Sequence, residues 1–222
     1  MTTTRYLVIG GRGHAQEVAW SLDEQAKREN RRCEFVFFDD GLPPGPVSSG
    51  LGDVVGRLDA VEDHARRADV RLVLGIGLPQ TKAKVVARLA PLGVPWSTVI
   101  HPAASIGRNV SIGEGSYVGP GALLTVNVRI GCFNTINSHC QVAHDDVLGD
   151  FVTLHPDVHL SGNVVVGEGA ELGAGSIVIP GVTVGAWAVL GAGTVAVRPV
   201  RAERTYVGVP ARELSATEDG AR

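Results

Sequence analysis

From Ile106 to Leu190 every sixth residue is aliphatic: Ile106, Ile112, Val118, Leu124, Ile130, Ile136, Val142, Leu148, Leu154, Leu160, Val166, Leu172, Val178, Val184 and Leu190. Glycine follows at nine of these fifteen positions, and small or β-branched residues dominate four places on. Neither a 3.6-residue helical period nor strand alternation produces this pattern. A six-residue period is that of a parallel β-helix, each hexapeptide making one flat side and one corner. Three hexapeptides close a triangular coil of about 18 residues. Val142 is therefore expected to sit between Leu124 and Leu160. The stretch predicts about five coils, roughly 24 Å long at the ~4.8 Å strand spacing. The expected hand is left, an exception to the right-handed crossover preference.

Composition divides the chain at the same place. Of the 43 charged residues, only nine lie between Ile106 and Val195, none of them lysine, whereas 16 of the 29 glycines do. A domain boundary near residue 100 follows, with units at 1–100 and 101–222. Aromatic residues make up only 5% of the chain, as expected where a narrow prism has little room for rings. The net charge of −3 excludes the basic stripe that nucleic-acid binding needs. Cys33, Cys132 and Cys140 form no CxxC pair and read as small buried hydrophobes in a reducing compartment. The opening Met1-Thr-Thr-Thr-Arg-Tyr-Leu-Val-Ile-Gly10 has too short an apolar run for a leader or a membrane span. The expectation is a soluble cytoplasmic protein.

The first unit alternates strand-like and helix-like segments. Arg5–Ile9 is an apolar run that ends in Gly10-Gly11-Arg12-Gly13, and His14–Asn30 spaces Val18, Ala19 and Leu22 as a helix does. Strands are expected at Cys33–Phe38, Arg71–Leu74 and Trp96–Ile100, and helices around Val61–Ala68 and Thr81–Leu89. Gly41–Gly56 reads as a loop with at most one short strand. The alternation predicts a parallel sheet flanked by helices, a Rossmann-like domain.

The repeat, the closing Tyr206-Val207-Gly208-Val209-Pro210-Ala211-Arg212 and the opening Val8-Ile9-Gly10-Gly11-Arg12-Gly13-His14-Ala15 with Phe37-Phe38-Asp39-Asp40 together resemble one family. It is the hexapeptide-repeat acyltransferases that N-acetylate nucleotide-linked 4-amino-sugars, with the related sialic acid O-acetyltransferases. The resemblance spans residues 4–215, and its most specific stretch is Val142-Ala143-His144-Asp145-Asp146-Val147-Leu148-Gly149-Asp150-Phe151. It implies a homotrimer with active sites between subunits, acetyl-CoA as cosubstrate, no metal, and a nucleotide-sugar held in the first unit.

The resemblance makes His144 the catalytic base. Amide formation from a sugar amine and a thioester needs a group to take the amine proton, and imidazole titrates close to working pH. Asp145 is expected to orient the ring or hold it basic. From spacing alone, a surface histidine is the alternative. The family's second histidine, near the acetyl group, corresponds here to Thr153, so His155 or a backbone N–H is left to substitute. Asn137 matches a position near the family's active site, or belongs to an inward asparagine ladder. His139 is read as flanking the same cleft as His144.

Resemblance also places Arg12, Gly13, His14 and Gly77 against the nucleotide-sugar and Asp39 and Asp40 against its base. A glycine turn between a strand and a helix can meet a diphosphate through backbone N–H groups. The alternative is a plain strand-to-helix turn. Gly162, Ala174 and Ala192 match positions where small residues admit coenzyme A, and Arg212 either meets one of its phosphates or is a solvated tail residue. Other readings are O-acetylation of a sialic acid or similar hydroxyl, a zinc β-helix enzyme of the carbonic anhydrase type using His139 and His144, an NAD oxidoreductase using Asp39, and a non-catalytic binding scaffold. Ala103 stands where the zinc reading needs a third histidine, and Gln16 where a full GxGxxG needs its last glycine.

Overall fold

The computed structural model describes residues 3–66 and 69–214. The N-terminal part runs β1 (Thr3–Ile9), α1 (Gly13–Arg28), β2 (Arg32–Phe38), β3 (Gly45–Pro46), β4 (Gly52–Gly56), α2 (Val61–Ala65), β5 (Val70–Leu74) and α3 (Pro79–Leu89). The sheet order is β3-β4-β2-β1-β5, all parallel but for the short β3. Leu7 and Ile9 face one layer of buried aliphatics and aromatics, and Tyr6 and Val8 the other. That two-sided burial is what a strand covered on both faces requires.

Three expectations are corrected here. The Gly41–Gly56 segment holds two short strands rather than one at most, because Pro46 at the outer end pairs without needing an inward N–H. The helix at residue 61 is preceded by a tight turn at Leu58–Ala60 and ends at Ala65; the expected end at Ala68 lies outside the described residues. The Trp96–Ile100 segment is not one strand. Trp96 bridges to Leu72 of the first sheet, whereas Val99–Ile100 pairs with Tyr117–Val118 of the prism. The chain therefore changes sheets within three residues.

Beyond Val99 the fold is a three-walled prism. The first wall stacks the strands at Val99, Tyr117, Thr135, Thr153, Glu171, Val189, Thr205 and Arg212. The second stacks those at Ser105, Leu123, Gln141, His159, Ile177 and Val195, and the third those at Ser111, Arg129, Val147, Val165 and Thr183. Except near Arg212, each strand pairs in parallel with its counterpart one coil away, and Val142 lies between Leu124 and Leu160. In the interior, most of the sixth-residue aliphatics and most of the residues four places on pack into one core. Ile106, at the open end of the second wall, stays 40% exposed because no coil lies below it.

Two kinds of glycine emerge. All fifteen residues three places after the repeat aliphatics have positive φ, which closes each corner. Six are glycines, and several others are Asn or Asp, whose short polar side chains tolerate this conformation. The glycines directly after the aliphatics serve a different end. A Cβ on Gly113 would fall 2.5 Å from the carbonyl of Gly131 in the next coil. Cys140 is buried in the prism, whereas Cys33 and Cys132 are only half-buried, short of the full burial expected for small hydrophobes.

These two kinds should respond differently to substitution. Gly113→Ala is expected to cost about 2 kcal/mol or more, since the clash is with backbone that cannot yield. Gly175→Asn, at φ 67° with nothing within 4 Å of an added Cβ, should stay within about 1 kcal/mol. Chemical denaturation of the two variants checks this, and equal losses would refute it.

Candidate active site

The outward residues of the first wall explain how the N-terminal sheet docks. Val99, Tyr117, Thr135 and Thr153 are all buried, while outward Leu123, Ile177 and Val165 on the other walls stay exposed. Helix α3 presents Pro79, Lys82, Val85 and Leu89 on its buried stripe. Lys82 crosses to the first wall. Its Nζ donates to Val152 O at 3.0 Å and Thr153 Oγ1 at 2.9 Å, with Thr135 Oγ1 at 3.4 Å. Thr153 Oγ1 in turn donates to Gly77 O at 2.6 Å. Three donors and three acceptors satisfy an ammonium with no water.

A cavity of about 310 Å³ opens beside this junction. Helix α1 supplies His14, Glu17 and Trp20, the turn after β5 supplies Gly77, and the prism supplies Tyr117, Asn137, Ser138, Thr153 and His155. The His14 ring stands edge-on to Tyr117 at 5.7 Å, its Nδ1 is 3.7 Å from Glu17, and its buried Nε2 has no partner among the described residues. The bond with His14 holds the Glu17 carboxyl below its usual range despite partial burial. His155 Nε2 meets Glu171 Oε1 at 2.9 Å. Five residues singled out in the sequence thus share one cavity: His14, Gly77, Asn137, Thr153 and His155.

Arg12 and Gly13 lie at the β1–α1 turn, which Asp39 ties to the end of β2, whereas Asp40 turns towards Leu58, Arg57 and Arg88. Arg12 is the N-cap of α1 and makes no side-chain capping bond, and no acidic residue lies in the first turn. Asp39 accepts from Gly11 N at 2.9 Å and Gly41 N at 2.8 Å, so both its oxygens already tie the turn together. Asp40 accepts from Leu58 N and lies 3.7 Å from both Arg57 and Arg88.

His144 is on a different edge. It follows Val142 at the corner between the second and third walls, with Asp145 Oδ2 at 2.8 Å from its Nδ1. A neutral ring that donates from Nδ1 to a carboxylate keeps a free lone pair on Nε2. Gly162, one coil on at φ 102°, lies under the ring, and a Cβ there would come 2.9 Å from Nε2. Asp146, next in sequence, points inward and accepts from Ala143 N and Val164 N, and burial raises its carboxyl to about 6.

Within one chain His139 is not on the same edge as His144. It sits at the edge between the first and second walls, against Gly121 and 3.9 Å from Asp157, because five residues carry the chain along a whole wall. Among the described residues, no group of three or more His, Cys, Asp and Glu is placed to hold a metal. Ala174 and Ala192 are exposed on the His155 edge, and Arg212 is exposed in the closing hairpin.

Lys82, Tyr117 and Glu171 were not singled out from the sequence. A lysine on the apolar stripe of α3 was the available signal. So was the lack of charge at the outward residues Val99, Tyr117, Thr135 and Thr153.

A hexapeptide prism with a His–Asp pair on one edge and an α/β unit on one wall is the architecture of the β-helix acyltransferases. No family model and no curated protein matches the chain. Solved structures do. Perosamine N-acetyltransferase from Caulobacter crescentus, as a histidine-to-asparagine variant in complex with CoA and GDP-perosamine, has a TM-score of 0.86 and 33% identity, covering 96% of this chain and 97% of its own. WeeI from Acinetobacter baumannii AYE gives 0.84 and 31%, covering 96% of this chain and all of its own. The acetyltransferase domain of PglB from Neisseria gonorrhoeae FA1090, in complex with acetyl coenzyme A, gives 0.88 at 29% identity and the same coverages. The chain belongs to the hexapeptide-repeat sugar N-acyltransferases. Among the described residues no helix is long and apolar enough to cross a membrane.

Burial pushes the Lys82 amine down to about 7. The unfolded chain, with an ordinary lysine near ~10.5, then binds more protons across that window, so stability from this site rises with pH. The unfolding free energy of the wild type relative to Lys82→Met should therefore increase between about pH 7 and about pH 9.5. Urea melts at both values check it, and an unchanged difference would refute the shift.

Proposed function

We propose that the protein is an acetyl-CoA-dependent N-acetyltransferase that acts on the amino group of a nucleotide-linked 4-amino-4,6-dideoxy sugar. The observation that carries this is the 2.8 Å His144–Asp145 pair, which leaves Nε2 free on an open edge, in a chain of this family. Acetyl-CoA supplies the activated acyl group. His144 Nε2 takes the proton that the sugar nitrogen sheds as its bond to the acetyl carbon forms. The C–S bond breaks, and the thiolate is protonated and leaves as free CoA. Asp145 stabilises the imidazolium formed on the way.

Residues 1–100 are read as the Rossmann-like nucleotide-sugar domain. The amides of Gly13 and His14 face the diphosphate, with Arg12, Gly77, Asp39 and Asp40 around the nucleotide. Residues 101–222 are read as the left-handed acetyltransferase prism, whose final residues 215–222 lie outside the described residues. Coenzyme A follows the edge of Ala174 and Ala192 towards Arg212, and Gly162 packs against His144. With Thr153 bound to Lys82 and Gly77, His155 takes over recognition of the acetyl group, and Asn137 contacts the sugar. The exposed apolar residues Leu123, Ile177 and Val165 on two walls support a homotrimer, the usual state of such prisms, and the cytoplasm supplies the soluble substrates. GDP-perosamine in the Caulobacter complex supports an amine over a hydroxyl acceptor.

Free thiol released from acetyl-CoA with UDP-, GDP- and dTDP-linked 4-amino-sugars tests the proposal. Turnover is expected with one of them and a loss of at least about 100-fold in His144→Ala. No turnover with any, or full activity of the variant, would refute it. Gly162→Ala should lower kcat by about tenfold or more by displacing the ring, an effect read in the same assay.

A further inference from the structure

The edge that carries His144 also carries a file of amide and carboxylate side chains, one per coil. Asn109, Asn127 and Asp145 occupy successive corners at φ 57°, 59° and 62°. Asn109 Nδ2 donates to Asn127 Oδ1 at 3.1 Å, and Asn127 Nδ2 donates to Asp145 Oδ1 at 3.1 Å. The other oxygen of Asp145 meets His144 Nδ1 at 2.8 Å.

The polarity of this file is forced. An ionised carboxylate only accepts, so Asn127 must turn its NH₂ towards Asp145 and its oxygen towards Asn109, which then donates. With Oδ1 held by an amide, the carboxylate plane is fixed and Oδ2 is aimed at the ring. An exposed carboxylate without that amide turns freely about its broad terminal torsion and takes water instead. The Asp145 carboxyl is held below its usual range first by His144 and then by Asn127. The other charges facing the pair are Arg129 on the third wall and the inward Asp146.

We infer that Asn127 is a positioning residue for the reaction, fixing the carboxylate of Asp145 so that His144 presents Nε2 to the acceptor amine. Asn109 supports it one coil further away. The inference rests on the reading of His144 as the base.

The test uses the full chain and the thiol-release assay. Asn127→Gly keeps the corner, since glycine already fills six equivalent corners with positive φ. It should lower kcat about tenfold while leaving both KM values within about twofold, in the range of lost outer-shell partners. Asn109→Gly should lose less. Asn127→Asp also tolerates the corner, but sets a second negative charge beside Asp145. It should favour the imidazolium and move the acid limb of the kcat profile about half a unit or more to higher pH. Wild-type kcat in Asn127→Gly, or an unmoved acid limb in Asn127→Asp, would overturn the inference if His144→Ala is inactive. Full activity in His144→Ala would instead overturn the reading of the base.

Discussion

The interior of the prism takes one large aliphatic and one small or β-branched side chain per wall per coil, and that limit governs the rest of the molecule. Because strands pair with a shift of one whole coil, the residue above any position is the same hexapeptide position eighteen residues later. An aliphatic must therefore recur in the sequence. At many corners the backbones come so close that a Cβ directly after the aliphatic has nowhere to go, as at Gly107 and Gly113, whereas others such as His155 carry a side chain there. Only two sets of side chains are left free to do anything else: the outward residue of each short strand and the residues of each corner. Thr153 and Tyr117 belong to the first set, and His144, Asp145 and His155 to the second.

The outward set separates the walls. On the first wall Val99, Tyr117, Thr135 and Thr153 carry no charge and are covered by helices α1 and α3 of the N-terminal unit. On the others the set stays open. Lys82 decides how tightly that cover sits. An amine with its full complement of acceptors replaces water at the seam, and Thr153 passes the contact to the backbone at Gly77. A hydroxyl that spans a lysine and a carbonyl has its hydrogen-bonding capacity largely engaged, and the polar group beside it in the cavity is His155, held by Glu171. Burial makes the amine easier to deprotonate, a cost that its hydrogen bonds to Val152 O and Thr153 Oγ1 help to offset.

The prism was legible because its constraint is local and periodic. Each residue from Ile106 to Leu190 reports its own place, and the register of Val142 with Leu124 and Leu160 follows by counting. The parallel sheet was legible from alternation, except where it was not periodic. The Trp96–Ile100 run looks like one strand because both halves are apolar, yet each half answers to a different sheet. His144 and Asp145 stood out through resemblance and chemistry. The partners that hold them did not. Asn127 is one asparagine among several, and its distance of eighteen residues from Asp145 has meaning only once the coil is known. Lys82 carries no signal other than its position on an apolar stripe.

The two edges bear on where chemistry can occur. His14, Gly77, Asn137 and His155 line a cavity at the edge between the first and second walls, whereas His144 stands at the edge between the second and third. One side of the coil is roughly four residues of extended chain, or about 13 Å. Reacting atoms must approach within about 3.5 Å. The base and the acetyl site proposed above therefore do not meet around a single prism unless the substrate bends across the whole second wall. Two prisms set side by side remove the difficulty, because the His144 edge of one can face the His155 edge of the next. The apolar outward residues Leu123 and Ile177 lie on the wall between those edges, where such a contact would cover them. The order of the walls and the length of one side of the coil thus favour the proposed assembly, with the two edges brought together between subunits.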